Sequence, residues 1–410
     1  MTEEKSQLNR VIGLPGAVML GLGSIIGTGV FISLGIGASI AGPMILPAIG
    51  LAGLVALCNG LSSAQLAANH PVSGGTYEYG HRWLNPSLGF VAGWMFLCAK
   101  SASAATAALG FALYLNPENS LPIALAIVWV ITAITLLGIQ RTNTINTLIV
   151  GAVLLSLIAF VVFGAPAISA NPQNWQSALD GENLKNLLPA TALMFVAFTG
   201  YGRIATLGEE VTEPRRTIPR AIIATLVTTT VIYIVVTWVA LANAGNQFSS
   251  LALIAQTFSG PSLVKVLTAG AIIAMASVLL NLVLGLSRVV LAMGRRCDLP
   301  KTTARITDST KVPAVATIVV GCLITGLVYV GDMKLTWSFS AFTVLVYYAL
   351  TNLCAIRLKI EERLYPSWVS YIGLFACLCL AVFVEWRIIL AGLSLIALGL
   401  ALRWLFVKRS

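Results

Sequence analysis

Long apolar runs joined by short polar connections set the rhythm of this chain. The runs cover residues 11–40, 44–68, 86–115, 121–139, 144–164, 187–207, 218–243, 262–290, 313–331, 335–356, 367–384 and 386–406. A helix needs about 20 apolar residues to cross the hydrocarbon of a bilayer. Each run is therefore predicted to be one transmembrane helix, spans 1 to 12, of an all-α integral membrane protein. A tight turn near Glu385 is all that divides the last two. Two connections predict elements of their own: 165–186, with Pro166, Pro172 and Trp175, a short surface helix, and "LALIAQTF" within 245–261, too short to span, a helix capping that face. The polar start "MTEEKSQLNR" and the long first run do not match a cleaved secretory signal, so the first run is expected to stay as span 1.

Composition closes off other classes. The chain is 58% hydrophobic and 10% charged, against about 25% charged residues in a soluble domain, so it cannot cover a water-facing surface. The net charge of +10 would suit nucleic acid, but the basic residues sit in short connections, which is a topology signal. With the N-terminus placed inside, eighteen of the 25 lysines and arginines fall in inside segments. Lys185, Lys265, Lys334 and Arg387 fall outside, and Lys100, Arg203 and Arg288 lie within or at the edge of spans. This predicts a multi-pass protein of the cell (plasma or inner) membrane with both termini cytoplasmic. The seven cysteines show no ligand spacing, and His70 and His81 share one connection. No metal site or cofactor is expected. No His, Asp or Glu lies in a span centre, which leaves no acid, base or metal ligand for an enzyme inside the membrane.

One run contradicts its own helix. Span 1 contains "GLGSIIGTGVFISLG" (Gly21–Gly35), although each glycine costs about 1 kcal/mol relative to alanine in a helix interior. Gly23 and Gly27, four apart, also suit close helix packing. Span 6 repeats the oddity with "FTGYG" (Phe198–Gly202) in its middle. Five is odd, so a five-helix unit followed by its copy is inserted upside down. Glycine-interrupted segments at matching positions of two halves point to an inverted repeat and its binding site. The domain reading is a ten-helix core over 1–360, with repeats over 11–164 and 187–360, then two accessory helices in 361–410. A helix broken in lipid strands backbone N–H and C=O groups unless protein, a water-filled cavity or a ligand satisfies them. The freed N–H groups suit a carboxylate, helped by the positive end of the half-helix dipole. The freed carbonyls suit an ammonium or a coupling cation. A zwitterionic amino acid matches both.

Four stretches resemble the amino acid–polyamine–organocation (APC) transporter superfamily: "GSIIGTGVF" (Gly23–Phe31), "PVSGGTYEY" (Pro71–Tyr79), "FTGYGRIATLGEEVTEPRRTIPRAI" (Phe198–Ile222) and "SRVVLAMGRRCDLP" (Ser287–Pro300). The resemblance implies a LeuT-like five-plus-five inverted repeat with helices 1 and 6 broken and two extra C-terminal helices. It also implies amino acid transport by proton coupling or exchange. The family's carboxylate-binding loop falls on Ile26, Gly27, Thr28 and Gly29. Its ammonium-binding carbonyls fall near Ile25 and on Phe198 and Thr199, with Gly200, Tyr201 and Gly202 completing the span 6 break. Thr28 either adds a hydroxyl to the carboxylate or bonds back to a helical carbonyl, and Tyr201 either lines the pocket or is a core aromatic. Relatives that couple to protons carry a lysine in span 5, where this chain has Val153. Ser277 falls where relatives place a hydroxyl at the cation site. Pro214 and Pro219 are expected to end one helix and start the next.

Charges inside spans point to function by default. Lys100 lies deep in span 3. It is a candidate for proton coupling, provided span 3 presents it to the interface of spans 1 and 8, or it snorkels to the nearer surface. Arg203 follows the span 6 break and either attracts an anion or pairs with Glu209 or Glu210. Trp337 and Phe339, at the start of span 10, are candidates for an outer lid. The absence of buried carboxylates argues against polyamines and cationic side chains. The reading is a secondary transporter of neutral amino acids, with protons as a possible coupling ion. A transporter of anionic amino acids, and a passive anion or solute channel using Lys100 and Arg203, are the alternatives.

Overall fold

In lipid every backbone N–H and C=O must find its partner within the protein, and helix answers that demand along nearly the whole chain. The computed structural model describes residues 12–71, 74–138, 143–176, 184–205, 211–245, 248, 250–307 and 310–407. Eight helical stretches among them are long and apolar enough to cross a membrane; the first, Leu14–Asn69, holds both spans 1 and 2. These two are parted at Gly42, whose φ of +54° only glycine adopts readily, followed by Pro43. Span 3 is Pro86–Leu115, span 5 Asn143–Gly164, span 7 Pro214–Ala244, span 8 Pro261–Arg295, span 10 Met333–Ile356 and span 12 Trp386–Val407. Spans 4 (Ser120–Leu136), 9 (Ala314–Val330) and 11 (Ser367–Val382) are shorter apolar helices.

Local chemistry sets the ends. Proline opens spans 3, 7 and 8, where its missing N–H costs nothing. Asn85 accepts a hydrogen bond from the Leu88 N–H at 2.8 Å, and Asp332 one from the Leu335 N–H at 2.5 Å. The expectation for the proline pair needs correction: span 7 begins at Pro214 and carries Pro219 inside it. The connection containing "PVSGGTYEY" folds into a helix, Thr76–Trp83, so His81 is helical. Short helices Pro166–Ala170, Gln173–Gln176 and Leu251–Ala255 stand where the two structured connections were expected.

Spans 3 and 10 pack along each other at the centre, 72% of their most apolar windows buried against 17% for span 12. Span 8 lies on the other side of span 3, and span 7 lies against span 2. Span 12 touches the core through spans 3 and 10 and leaves most of its surface outward.

Spans 1 and 6 are both interrupted, in different ways. The first helix of span 1, Leu14–Ile25, stops at Ile26, whose backbone turns extended (φ −80°, ψ 98°). After Gly27 the chain re-enters helix at Thr28, passes through a widened π-turn over Gly29–Ser33 and continues as Leu34–Ala41. Span 6 is not unravelled to that degree. Its helix Leu187–Phe198 tightens into a 3₁₀ turn at Thr199–Tyr201 and resumes over Gly202–Ala205. The tightening has a local cause: the Thr199 hydroxyl donates back to the Val196 carbonyl at 2.7 Å.

Candidate binding site at the interrupted helices

The two interruptions touch. A methyl built on Gly200 would overlap the Ser24 carbonyl oxygen and lie 2.6 Å from Ile25 Cγ1, so only glycine lets the span 6 turn rest on the end of the first half of span 1. Between them opens a cavity of about 110 Å³. Ser24, Ile25 and Thr28 line it from span 1, and Val196, Ala197, Thr199, Gly200, Gly202 and Arg203 from span 6. Span 3 adds Phe96, Lys100 and Ser103, and span 10 adds Trp337. Span 8 supplies a full wall from Val278 to Val289, with Asn281 as its polar member and Arg288 at its far end. The first turn of a helix leaves its N–H groups without intrahelical partners, and the restart of span 1 at Thr28 puts such a turn at the cavity wall.

Side chains hold the break together from three directions. Lys100 is buried, and its Nζ donates to Thr199 Oγ1 at 2.7 Å and to the Thr199 carbonyl at 3.4 Å. The Tyr348 hydroxyl donates to the same carbonyl at 3.4 Å. The Tyr233 hydroxyl from span 7 stands 3.2 Å from both the Ile25 and the Ala197 carbonyls. Lys100 thus reaches the span 6 turn, where the sequence reading had required the interface of spans 1 and 8.

Of the residues singled out from sequence, Ile25, Thr28, Thr199, Gly200, Gly202, Lys100, Arg203 and Trp337 line the cavity; Ile26, Gly27, Gly29, Phe198, Tyr201, Ser277 and Phe339 do not. Gly27 and Gly29 serve close approach. A methyl on Gly27 would come within 2.6 Å of Val278 in span 8, and one on Gly29 would overlap the Tyr233 hydroxyl. Phe198, Tyr201 and Ser277 are buried in the packing around the cavity, and Phe339 is half-buried in the core. Glu209 and Glu210, offered as partners for Arg203, lie outside the described residues. Span 8, like spans 3 and 10, was expected to close the pocket, but Ser24 and Asn281 escaped the sequence reading, because neither carries a charge nor is itself a glycine that interrupts a helix.

The two ends of the cavity differ. At the Trp337 end span 3 is bonded to span 10, Ser103 to Ser340 at 2.8 Å and Thr106 to Thr336 at 2.8 Å, and the Trp337 indole N–H donates to the Leu193 carbonyl of span 6 at 3.0 Å. The other end runs out between Arg203, Gly285 and Arg288 toward Gly74. On that side the helix Thr76–Trp83 is anchored by polar contacts. Asp298, 3% exposed, accepts from the Tyr77 hydroxyl and from Arg403 of span 12, both at 2.7 Å, and lies 3.5 Å from His81 Nε2. Glu78 pairs with Arg296. Burial pushes the Asp298 carboxyl up, but the hydrogen bonds from His81, Arg403 and Tyr77 outweigh it and hold the group below its ordinary value.

A family model described as "Amino acid permease" matches residues 16–407. The chain belongs to the amino acid permease family. The permease is 39% identical over 400 residues to an uncharacterized transporter of Mycobacterium tuberculosis, covering 96% of this chain and 91% of that one. It is 25% identical to the branched-chain amino acid permease BcaP of Bacillus subtilis, over 100% of this chain and 95% of the relative. Among solved structures, MhsT in complex with L-phenylalanine superposes with a TM-score of 0.66 at 14% identity, over 92% of this chain and all of that one. That likeness is one of fold. The permease is an amino acid transporter of the APC superfamily and a multi-pass membrane protein.

Proposed function

We propose that the permease moves neutral amino acids with apolar side chains by alternating access, and that the cavity between spans 1, 3, 6, 8 and 10 is the substrate site. The observation that carries this reading is a polar break set in an apolar wall, with no Asp or Glu among its described lining residues. The substrate carboxylate sits at the restart of span 1 by Thr28, its ammonium at the carbonyls of the span 6 turn, and its side chain against Val196, Val278 and Leu282. Two comparisons point the same way: MhsT was solved with phenylalanine and BcaP is named for branched-chain substrates.

The end with Arg203 and Arg288 faces the cytoplasm in this proposal, with both termini on that side as the lysine and arginine bias requires. The protein then stands open inward, closed outward by the contacts of Trp337, Ser340 and Thr336. Lys100 is the candidate for coupling to protons, through its bond to Thr199. A passive channel is the competing reading, and the laced outer end counts against it. Counterflow in proteoliposomes tests both. Vesicles preloaded with unlabelled leucine accumulate labelled leucine if the permease is a carrier; uptake without trans-stimulation would mean a channel. The same assay with and without a proton gradient decides coupling.

A further inference from the structure

Two of the carbonyls assigned to a substrate ammonium, those of Thr199 and Ile25, already have donors. A carbonyl oxygen offers two lone pairs, and the Thr199 carbonyl receives Lys100 and Tyr348. The Thr199 hydroxyl gives its proton to Val196 and takes one from Lys100. The Ile25 and Ala197 carbonyls share the Tyr233 hydroxyl. An amino acid entering this site must displace the Lys100 ammonium before its own can settle on Thr199. A carboxylate without an amino group displaces nothing. The charge balance agrees. Lys100 and Arg288 put cationic groups on the cavity wall, and no carboxylate is among the described lining. Such a wall raises the local concentration of anions. A carboxylate lacking its own ammonium finds that charge supplied by the protein.

We infer that the same site accepts carboxylates without an α-amino group, the 2-oxo and 2-hydroxy counterparts of apolar amino acids, with Lys100 standing in for the ammonium they lack. The inference rests on the proposed substrate site and extends its substrate class. The carboxylate keeps its place at Thr28. The 2-oxygen, an acceptor, meets the Lys100 ammonium at Thr199, where an amino acid would bring a competing donor.

The test uses the full-length protein in proteoliposomes, with counterflow of labelled leucine and unlabelled 4-methyl-2-oxopentanoate as competitor. In the wild type the oxo acid competes at concentrations no more than about tenfold above those of unlabelled leucine. In Lys100→Met the two ligands move in opposite directions. The oxo acid weakens by about tenfold or more, the loss of one charge-assisted contact, while leucine tightens because its competitor is gone. Thr199→Val, which removes one Lys100 acceptor, shifts the ratio the same way as Lys100→Met. Absence of competition by the oxo acid at a hundredfold excess over leucine overturns the inference whatever the variants do. So does a parallel change of both ligands in Lys100→Met. If neither leucine nor any other amino acid drives counterflow, the transport reading itself fails and this one with it.

Discussion

Replacing Gly200 by alanine tests whether the two interruptions must touch. The added methyl carbon would lie 2.6 Å from the Ser24 carbonyl carbon and from Ile25 Cγ1, and would overlap the Ser24 oxygen. Non-bonded carbons rest about 3.5–4.0 Å apart, so the span 6 turn and the end of the first span 1 helix must part by about 1 Å. Ser24 is helix backbone and cannot swing aside as a side chain tip would. Overpacking of this kind costs about 1–3 kcal/mol. If the strain is relieved by opening the break, the same energy is lost from binding, which is about 5- to 150-fold in affinity. Equilibrium binding of labelled leucine to purified protein, alongside thermal unfolding, measures both parts. Gly151→Ala and Gly326→Ala are the controls: a methyl at either meets no atom within 4 Å, so affinity stays at the wild-type level. Gly200→Ala binding within twofold of wild type would show that contact between the interruptions does not set the binding geometry.

Three further substitutions probe the surroundings. Gly27→Ala pushes a methyl against Val278 and is expected to lower stability by about 1–3 kcal/mol; an unchanged unfolding midpoint would contradict the tight packing of spans 1 and 8. Trp337→Phe removes the indole bond to the Leu193 carbonyl, worth about 1 kcal/mol, and should raise the labelling rate of a cysteine placed at Ser340; equal rates in the two backgrounds would remove Trp337 from the closure. Asp298→Asn replaces the charge-assisted bond from Arg403 by a neutral one and is expected to cost about 1.5–3 kcal/mol. The sign with pH follows from its lowered value: the contribution of Asp298 is complete above the ordinary carboxylate range and is lost as pH falls below it. Wild type should therefore lose more stability than Asp298→Asn between pH 5 and pH 3, as read by thermal unfolding at the two values. A parallel decline would place the acid sensitivity elsewhere.

Much of the architecture was legible because lipid forces the issue. Apolar run length and proline position mark where a membrane helix starts, and Pro86 and Pro261 sit at or beside the predicted starts of spans 3 and 8. Pro219 misled because a proline within the first turns can stay in a helix already opened at Pro214. The glycines announced that something interrupts spans 1 and 6. They could not say which of them face a cavity, since Gly27 and Gly200 look alike in sequence and differ only in what lies opposite. Lys100 stood out by its charge alone. Its partner, a threonine about a hundred positions away, is set by how spans 3 and 6 cross, and pattern within either span carries no record of that crossing. Asn281 was hidden for the opposite reason, being an uncharged polar residue in an uninterrupted helix that carries several others.

The Tyr233 hydroxyl acts as a rivet. From the middle of span 7 its one proton is shared between a carbonyl of the first span 1 helix and a carbonyl of span 6, so sliding any one of the three past the others disturbs that buried contact. Swinging the first half of span 1 by itself would forfeit that fastening, whereas carrying spans 6 and 7 along with it would not.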